Sequence, residues 1–192
     1  HAMPESPAVF VVADSLVQNP CEDRLDRRVV AHSAYELAPG VITFLHTEVG
    51  PLNEIVHIWG YKDLADRARV RGEASKETNW PPKIQEFIRT MQSEIFIPAP
   101  FCPEVKPGKL GPYFEVREYT FKAGSLPAIL ERWGEKLPGR LKFSPIAFCG
   151  SSDFGTANKW IHVWPYESLD QRNAVRAQAR DVRAVQQDAP VG

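Results

Sequence analysis

Residues 53–72 read NEIVHIWGYKDLADRARVRG, and residues 158–177 read NKWIHVWPYESLDQRNAVRA. They align without a gap at an offset of 105, with 8 identities in 20: Asn53/Asn158, His57/His162, Trp59/Trp164, Tyr61/Tyr166, Leu64/Leu169, Arg67/Arg172, Val70/Val175 and Arg71/Arg176. Unrelated stretches of this length share roughly one residue, and a fixed period marks duplication. Gly50 and Gly155 also correspond. The same offset lays residues 10–17 on 115–122 and 41–49 on 146–154, where identity fades and the hydrophobic pattern persists. The chain therefore reads as two diverged copies of one module in tandem. The first spans 8–98, a proline-rich linker follows over 99–111, and the second spans 112–192.

Each copy carries the same signals. In the second, Tyr113–Phe121 alternates and is rich in aromatic and β-branched residues, which predicts a strand. Ser125 then offers an N-cap, Pro127 fits a first turn, and Leu126, Ile129, Leu130, Trp133 and Leu137 recur at helical spacing over 126–137. Strands follow at 146–152 and 158–164, and Ser168 caps a helix to about Val185. In the first copy, Phe10–Val17 is a strand and 22–36 a helix. Val41–Val49 and Asn53–Trp59 form a hairpin, and Asp63 caps a helix to about Lys76. After Trp80-Pro81-Pro82, a short helix at 83–90 leads into a strand at Ser93–Ile97. The order β-α-β-β-α-β is that of a ferredoxin-like unit. At the fixed offset that last strand maps to 198–202, beyond Gly192, so the second sheet is expected to lack it.

Side chains along a strand alternate between faces. His57, Trp59 and Tyr61 therefore share one face, as do Trp160, His162, Trp164 and Tyr166. Small β-branched residues (Val56, Ile58, Ile161, Val163) are the expected helix-facing set. The aromatic row is then expected on the helix-free face, where the two antiparallel sheets would pack as an α+β barrel. His57, Trp59, His162 and Trp164 would meet in or near one cavity.

Composition narrows the function classes. The formal net charge of −1 offers no broad field for nucleic acid or an anionic membrane surface. No apolar run approaches the length needed to span a bilayer. His1-Ala2-Met3 reads as an expression remnant before a natural Met, with no signal peptide after it. Three scattered cysteines, Cys21, Cys102 and Cys149, suit a reducing compartment, so the expected location is cytoplasmic. Cys149, on an apolar strand, reads as an inert core thiol.

The pattern N-x-x-x-H-[IV]-W-x-Y-x-x-L in both copies, with EVREYTFKAG ahead of it in the second, resembles the NIPSNAP family. The resemblance covers residues 10 to 185. Its opening E-[LV]-R-x-Y-T element is intact only at Glu115, Val116, Arg117, Tyr119 and Thr120; the first copy has Phe10-Val11-Val12-Ala13-Asp14-Ser15 instead. The resemblance implies a dimeric α/β-barrel fold made within one chain. The family has been linked to mitochondrial and vesicle-associated roles without an agreed catalytic activity. Relatives on the same barrel include cofactor-independent monooxygenases, isomerases and haem enzymes.

The candidate site residues are His57, Trp59, Tyr61, Arg117, Tyr119, His162, Trp164 and Tyr166. His57 and His162 are the candidate acids or bases. The competing reading is that both are structural, and retention in both copies favours it. No HxH, HxxxH or cysteine cluster suggests a metal site, and no cofactor is expected. Arg117 and Tyr119 could grip an anionic or carbonyl group, or serve a cross-strand pair. Trp59, Trp160 and Trp164 could stack on a flat ligand, or simply pack. Arg67, Arg71, Arg172 and Arg176 are expected on solvated helix faces, paired with acids. These residues suggest a protein that binds a small hydrophobic or aromatic ligand, or a protein partner, through its barrel. The alternative is a cofactor-independent monooxygenase or isomerase acting on an aromatic or carbonyl substrate. Unpaired sheet edges predict a homo-oligomer.

Overall fold

The computed structural model describes residues 11–17, 41–50, 53–77, 84–104 and 110–187. The chain divides into two compact units. The first comprises His1–Pro98, Val105–Pro107 and Ser152–Ala157, and the second Ala99–Glu104, Gly108–Ser151 and Asn158–Gly192.

The first unit holds strands β1 (Val11–Val17), β2 (Val41–His46), β3 (Glu54–Trp59) and β4 (Met91–Pro98), with helix α1 (Leu64–Ala74) and a 3-10 turn at Gln85–Phe87. The strand order is β2-β3-β1-β4, antiparallel throughout. That is the arrangement a β-α-β-β-α-β unit gives. The short helix expected at 83–90 is only the single 3-10 turn, and the strand expected at 93–97 extends to both sides. The expected helix at 22–36, Phe10 and the Trp80-Pro81-Pro82 stretch lie outside the described residues.

The second unit holds β5 (Tyr113–Thr120), α2 (Leu126–Leu141), β6 (Phe148–Phe154, with 148–151 in this unit), β7 (Lys159–Tyr166) and α3 (Leu169–Gln187). Its strand order is β6-β7-β5, again antiparallel. Among the described residues no fourth strand follows, because α3 continues to Gln187. Ser125 stands at the N-cap of α2, but its side chain makes no capping bond. The helix was expected to stop at Leu137, before Pro138. It runs one further turn, to Leu141.

The repeat is visible in the backbone as well as in the letters. Gly50 and Gly155 have φ of 112° and 105°, and Asn53 and Asn158 have φ of 64° and 57°. These are left-handed positions, which glycine adopts freely and asparagine tolerates better than other side chains. Gly155 has a second reason to stay glycine: an added Cβ would lie 2.8 Å from Glu94 Cγ. Helix starts correspond too. Asp63 Oδ1 accepts the Asp66 N–H at 2.7 Å, and Ser168 Oγ accepts the Gln171 N–H at 3.0 Å.

One expectation fails in the second unit. The aromatic row of β7 does not lie on a helix-free face; it faces the helices. Trp133 of α2 packs on Trp160 with ring centroids 5.2 Å apart and on His162 at 4.6 Å. Leu137 of α2 and Val175 of α3 share one buried cluster with Trp160, Trp164 and Tyr166. The reason is that β7 is buried on both faces from Trp160 to Tyr166. Where both faces are buried, polarity along the strand cannot tell them apart, and side-chain size becomes the only cue. The gap beneath two amphipathic helices is filled by the wide rings, while Ile161 and Val163 are buried on the other side.

The αL reading makes a direct prediction. Replacing Asn158 by Ala forces a Cβ-bearing residue without a local hydrogen-bonding side chain into the left-handed region. It should cost about 1–2 kcal/mol in urea unfolding, whereas Asn158→Gly should cost little or nothing.

Candidate ligand-binding site

The site begins with a contact between residues two apart on one strand. In β7 the Trp164 indole N–H donates to His162 Nδ1 at 2.6 Å. In β3 the Trp59 indole N–H donates to His57 Nδ1 at 2.8 Å. Rings i and i+2 point to the same face, so the sequence H-x-W places donor beside acceptor without distortion. A neutral imidazole has one N–H and one lone-pair nitrogen. Occupying Nδ1 as acceptor therefore fixes the proton on Nε2.

His162 is only 4% exposed. Burial is the main reason that its pKa is pushed down to about 4, and the Arg117 guanidinium adds to it. The side chain is therefore neutral near pH 7. Its one lone pair is engaged by the indole and its other nitrogen carries hydrogen. Such a group donates a hydrogen bond but accepts no proton. Ligation of a metal or haem iron through Nε2 would move the proton to Nδ1, directly against the indole N–H. The donor set around His162 does not fit that role.

Across the β5–β7 register, Glu115 lies opposite Trp164 and Arg117 opposite His162. Opposite residues of an antiparallel pair share a face. The helices close over this face and leave a pocket of about 390 Å³. Tyr119, His162, Trp164, Trp133 and Leu137 form its aromatic and apolar walls. The Tyr119 ring stacks on His162 with centroids 5.6 Å apart. The rest of the lining is largely charged: Arg117 from β5; Arg132, Lys136 and Arg140 from α2; Arg176 and Arg180 from α3. Among the described residues Glu115 is the single carboxylate in the lining.

Two of these charges are held by specific contacts. Arg140 lies over the Trp164 ring, 4.1 Å from its centroid, and donates to Ser144 Oγ at 2.9 Å and to the Tyr166 hydroxyl at 3.2 Å. Glu115 accepts from Arg172, and from Arg176 at 3.0 Å. Arg172 and Arg176 thus point inward to β5, not onto the solvated face expected of them.

Of the residues singled out from sequence, Arg117, Tyr119, His162 and Trp164 come together here. Tyr166 is buried beside the pocket and serves it through Arg140. Trp160 is fully buried against Phe101 and Trp133. His57, Trp59 and Tyr61 belong to the first unit, where Phe44 stacks on His57 at 5.6 Å, and they do not line this pocket. Sequence reasoning missed Trp133, whose i, i+4 relation to Leu137 marked it only as core, and the basic residues of α2 and α3. Cys149 is a fully buried thiol, as expected of a core cysteine.

The NIPSNAP family model matches twice, over residues 18–103 and 114–190. The chain belongs to the NIPSNAP family. A NipSnap homolog of Dictyostelium discoideum is 39% identical over 134 residues, covering 68% of this chain and 58% of that protein. Human NipSnap homolog 3A is 28% identical over 142 residues, covering 69% and 56%. The chain thus spans little more than half the length of these relatives. Among solved structures, a NIPSNAP-like domain protein of Burkholderia xenovorans is 29% identical, with a TM-score of 0.47, covering 53% of this chain and 95% of its own. A monooxygenase-like protein of Fusobacterium nucleatum has a TM-score of 0.59 at 13% identity, covering 96% of this chain and 88% of its own. That likeness concerns the fold alone: α+β, with tandem ferredoxin-like units. No helix among the described residues is long and apolar enough to cross a membrane.

The buried histidine gives a pH prediction with a definite sign. An unfolded histidine takes up its proton near pH 6.5, the folded His162 near 4. Between these values the unfolded chain binds more protons, so acid favours unfolding. The contribution is complete above about pH 6.5 and declines as pH falls toward 4, by up to about 3 kcal/mol. Urea unfolding at about pH 7.5 and about pH 4.5 should show a smaller acid loss in His162→Gln than in the parent chain.

Proposed function

We propose that this NIPSNAP protein binds a small molecule with a flat, apolar body in the pocket of its second unit, and that His162 takes no part in acid–base turnover. The observation that carries the reading is the pocket itself: about 390 Å³, walled by Trp133, Trp164, Tyr119 and Leu137 and tipped by polar groups. Small-molecule sites are built this way, with apolar walls for affinity and a few fixed polar groups for orientation. The braced His162 is then a fixed donor. The first unit carries the same H-x-W pair but not the E-x-R-x-Y strand that supplies Glu115, Arg117 and Tyr119 to the lining, so ligand binding is assigned to the second unit.

The alternative, a cofactor-independent monooxygenase or isomerase, has the likeness to monooxygenase-like folds in its favour. It needs a proton acceptor other than His162. Homo-oligomer formation belongs to the same proposal. Among the described residues β5 has a partner strand on one edge only, and Tyr113, Val116 and Tyr119 are each 37–42% exposed along it.

Binding is tested by titrating the intact chain with aromatic probes while following tryptophan fluorescence, with native mass spectrometry for co-purified ligands. Saturable quenching that weakens about tenfold in Trp133→Ala is the expected result, the rough equivalent of losing one aromatic wall. Absence of saturable binding by any aromatic probe would remove the proposal. Any turnover found should survive His57→Ala and His162→Ala; loss in His162→Ala with the fold retained would favour the enzyme reading.

A further inference from the structure

The pocket carries more positive charge than the described fold pairs. Among the described residues six cations line it (Arg117, Arg132, Lys136, Arg140, Arg176 and Arg180) against one carboxylate, Glu115. The chain as a whole has a formal net charge of −1, so this is local segregation, not a general basic character. Glu115 is already shared by Arg172 and Arg176. Among the described residues, no carboxylate pairs with Arg117, Arg132, Lys136 or Arg180.

Like charges gathered in a half-dry cleft repel, and solvent screens them less than it would on an open surface. Arg140 registers the cost. Burial, with Arg176 adding to it, holds its guanidinium below the usual range, although Tyr166 and Glu115 act the other way. Nor are the inner cations free to swing into water. Arg117 sits 5.5 Å from the Tyr119 ring centroid and Arg140 4.1 Å from that of Trp164. Each guanidinium is held at an aromatic wall of the pocket, where stacking fixes its position. Lys136, Arg132 and Arg180 are the more exposed charges of the lining. A cleft of one sign with low-dielectric walls concentrates the opposite charge.

We infer that the pocket takes a small organic anion with a planar body. Its carboxylate or phosphate is held among Arg117, Arg140, Arg176 and Lys136, and its body lies against Trp133 and Trp164. This rests on the ligand-binding reading above and adds the charge of the ligand to it. His162 suits the same occupant, since its fixed Nε2–H offers a donor and the ring offers no acceptor to repel an anion.

The test titrates the intact chain with naphthoate, naphthyl phosphate, neutral naphthol and inorganic phosphate by calorimetry, at low and at high salt. Naphthoate or naphthyl phosphate should bind about tenfold or more tightly than naphthol, with a preference that fades as salt rises. The stronger of the two identifies the anionic group. Arg117→Gln and the exposed pair Arg132→Gln/Lys136→Gln should each weaken the anion and leave naphthol unchanged. The exposed pair keeps the test valid if Arg117→Gln fails to fold. Equal binding of naphthol and the anions would overturn the anionic assignment and leave the aromatic-ligand reading standing. Inorganic phosphate binding as tightly as naphthyl phosphate would overturn the planar body. No binding by any probe would remove both readings together.

Discussion

The site depends on a hydrogen bond between an indole and an imidazole two residues apart. In each copy it satisfies two polar groups that would otherwise be lost to burial, and leaving such a group unmade costs about 1–3 kcal/mol. In β7 its consequences spread. Because His162 faces the helices, so do Trp160, Trp164 and Tyr166, two residues apart along the strand. Their faces set those of the opposite residues on β5, so Glu115 and Arg117 turn toward the same helices. Glu115 then gathers Arg172 and Arg176 of α3, and the Trp164 ring seats Arg140 of α2. A pocket arises where sheet and helices are held apart by these charged and aromatic contacts.

Much of the fold was legible because its determinants are local. Gly50 and Gly155 at matched positions mark turns, Asp63 and Ser168 signal helix starts, and alternation over Tyr113–Phe121 signals β5. Each of these cues acts within a few residues, and the fixed offset doubled each one. The order of strands followed from the module they spell. Cues of this kind survive divergence, since a turn or a cap needs one residue type and little else.

What was not legible depended on partners distant in sequence. The face of β7 could not be read, because both of its faces are buried and alternation of polarity had nothing to alternate against. Arg140 was hidden for a different reason. Pro138 reads as a helix stop, since proline lacks an N–H and crowds the preceding turn. The helix nevertheless continues for a last turn, and only that turn brings Arg140 above Trp164 and to the Tyr166 hydroxyl. The basic lining was invisible for a third reason: Arg132, Lys136, Arg176 and Arg180 look like ordinary solvated helix residues until two helices converge on one sheet.

The duplication separates scaffold from site. Whatever both copies keep answers a need of the module: the left-handed turn, the helix cap, the H-x-W brace. What only one copy keeps answers something else. At the offset of 105, the six pocket cations map to Val12, Arg27, Ala31, Tyr35, Arg71 and Ser75, so four of the six charges have no counterpart. Glu115 maps to Phe10, and Arg67, the counterpart of Arg172, has a buried Nε without an acceptor among the described residues. Among its described residues the first copy builds the corresponding strand order and the same brace although four of these charges are absent from its sequence. Arg140 and Arg176 are tied to the sheet through Trp164, Tyr166 and Glu115, whereas Arg117, Arg132, Lys136 and Arg180 have no carboxylate partner among the described residues; the concentration of these four around a cavity, against mutual repulsion, points to the site more than to the fold.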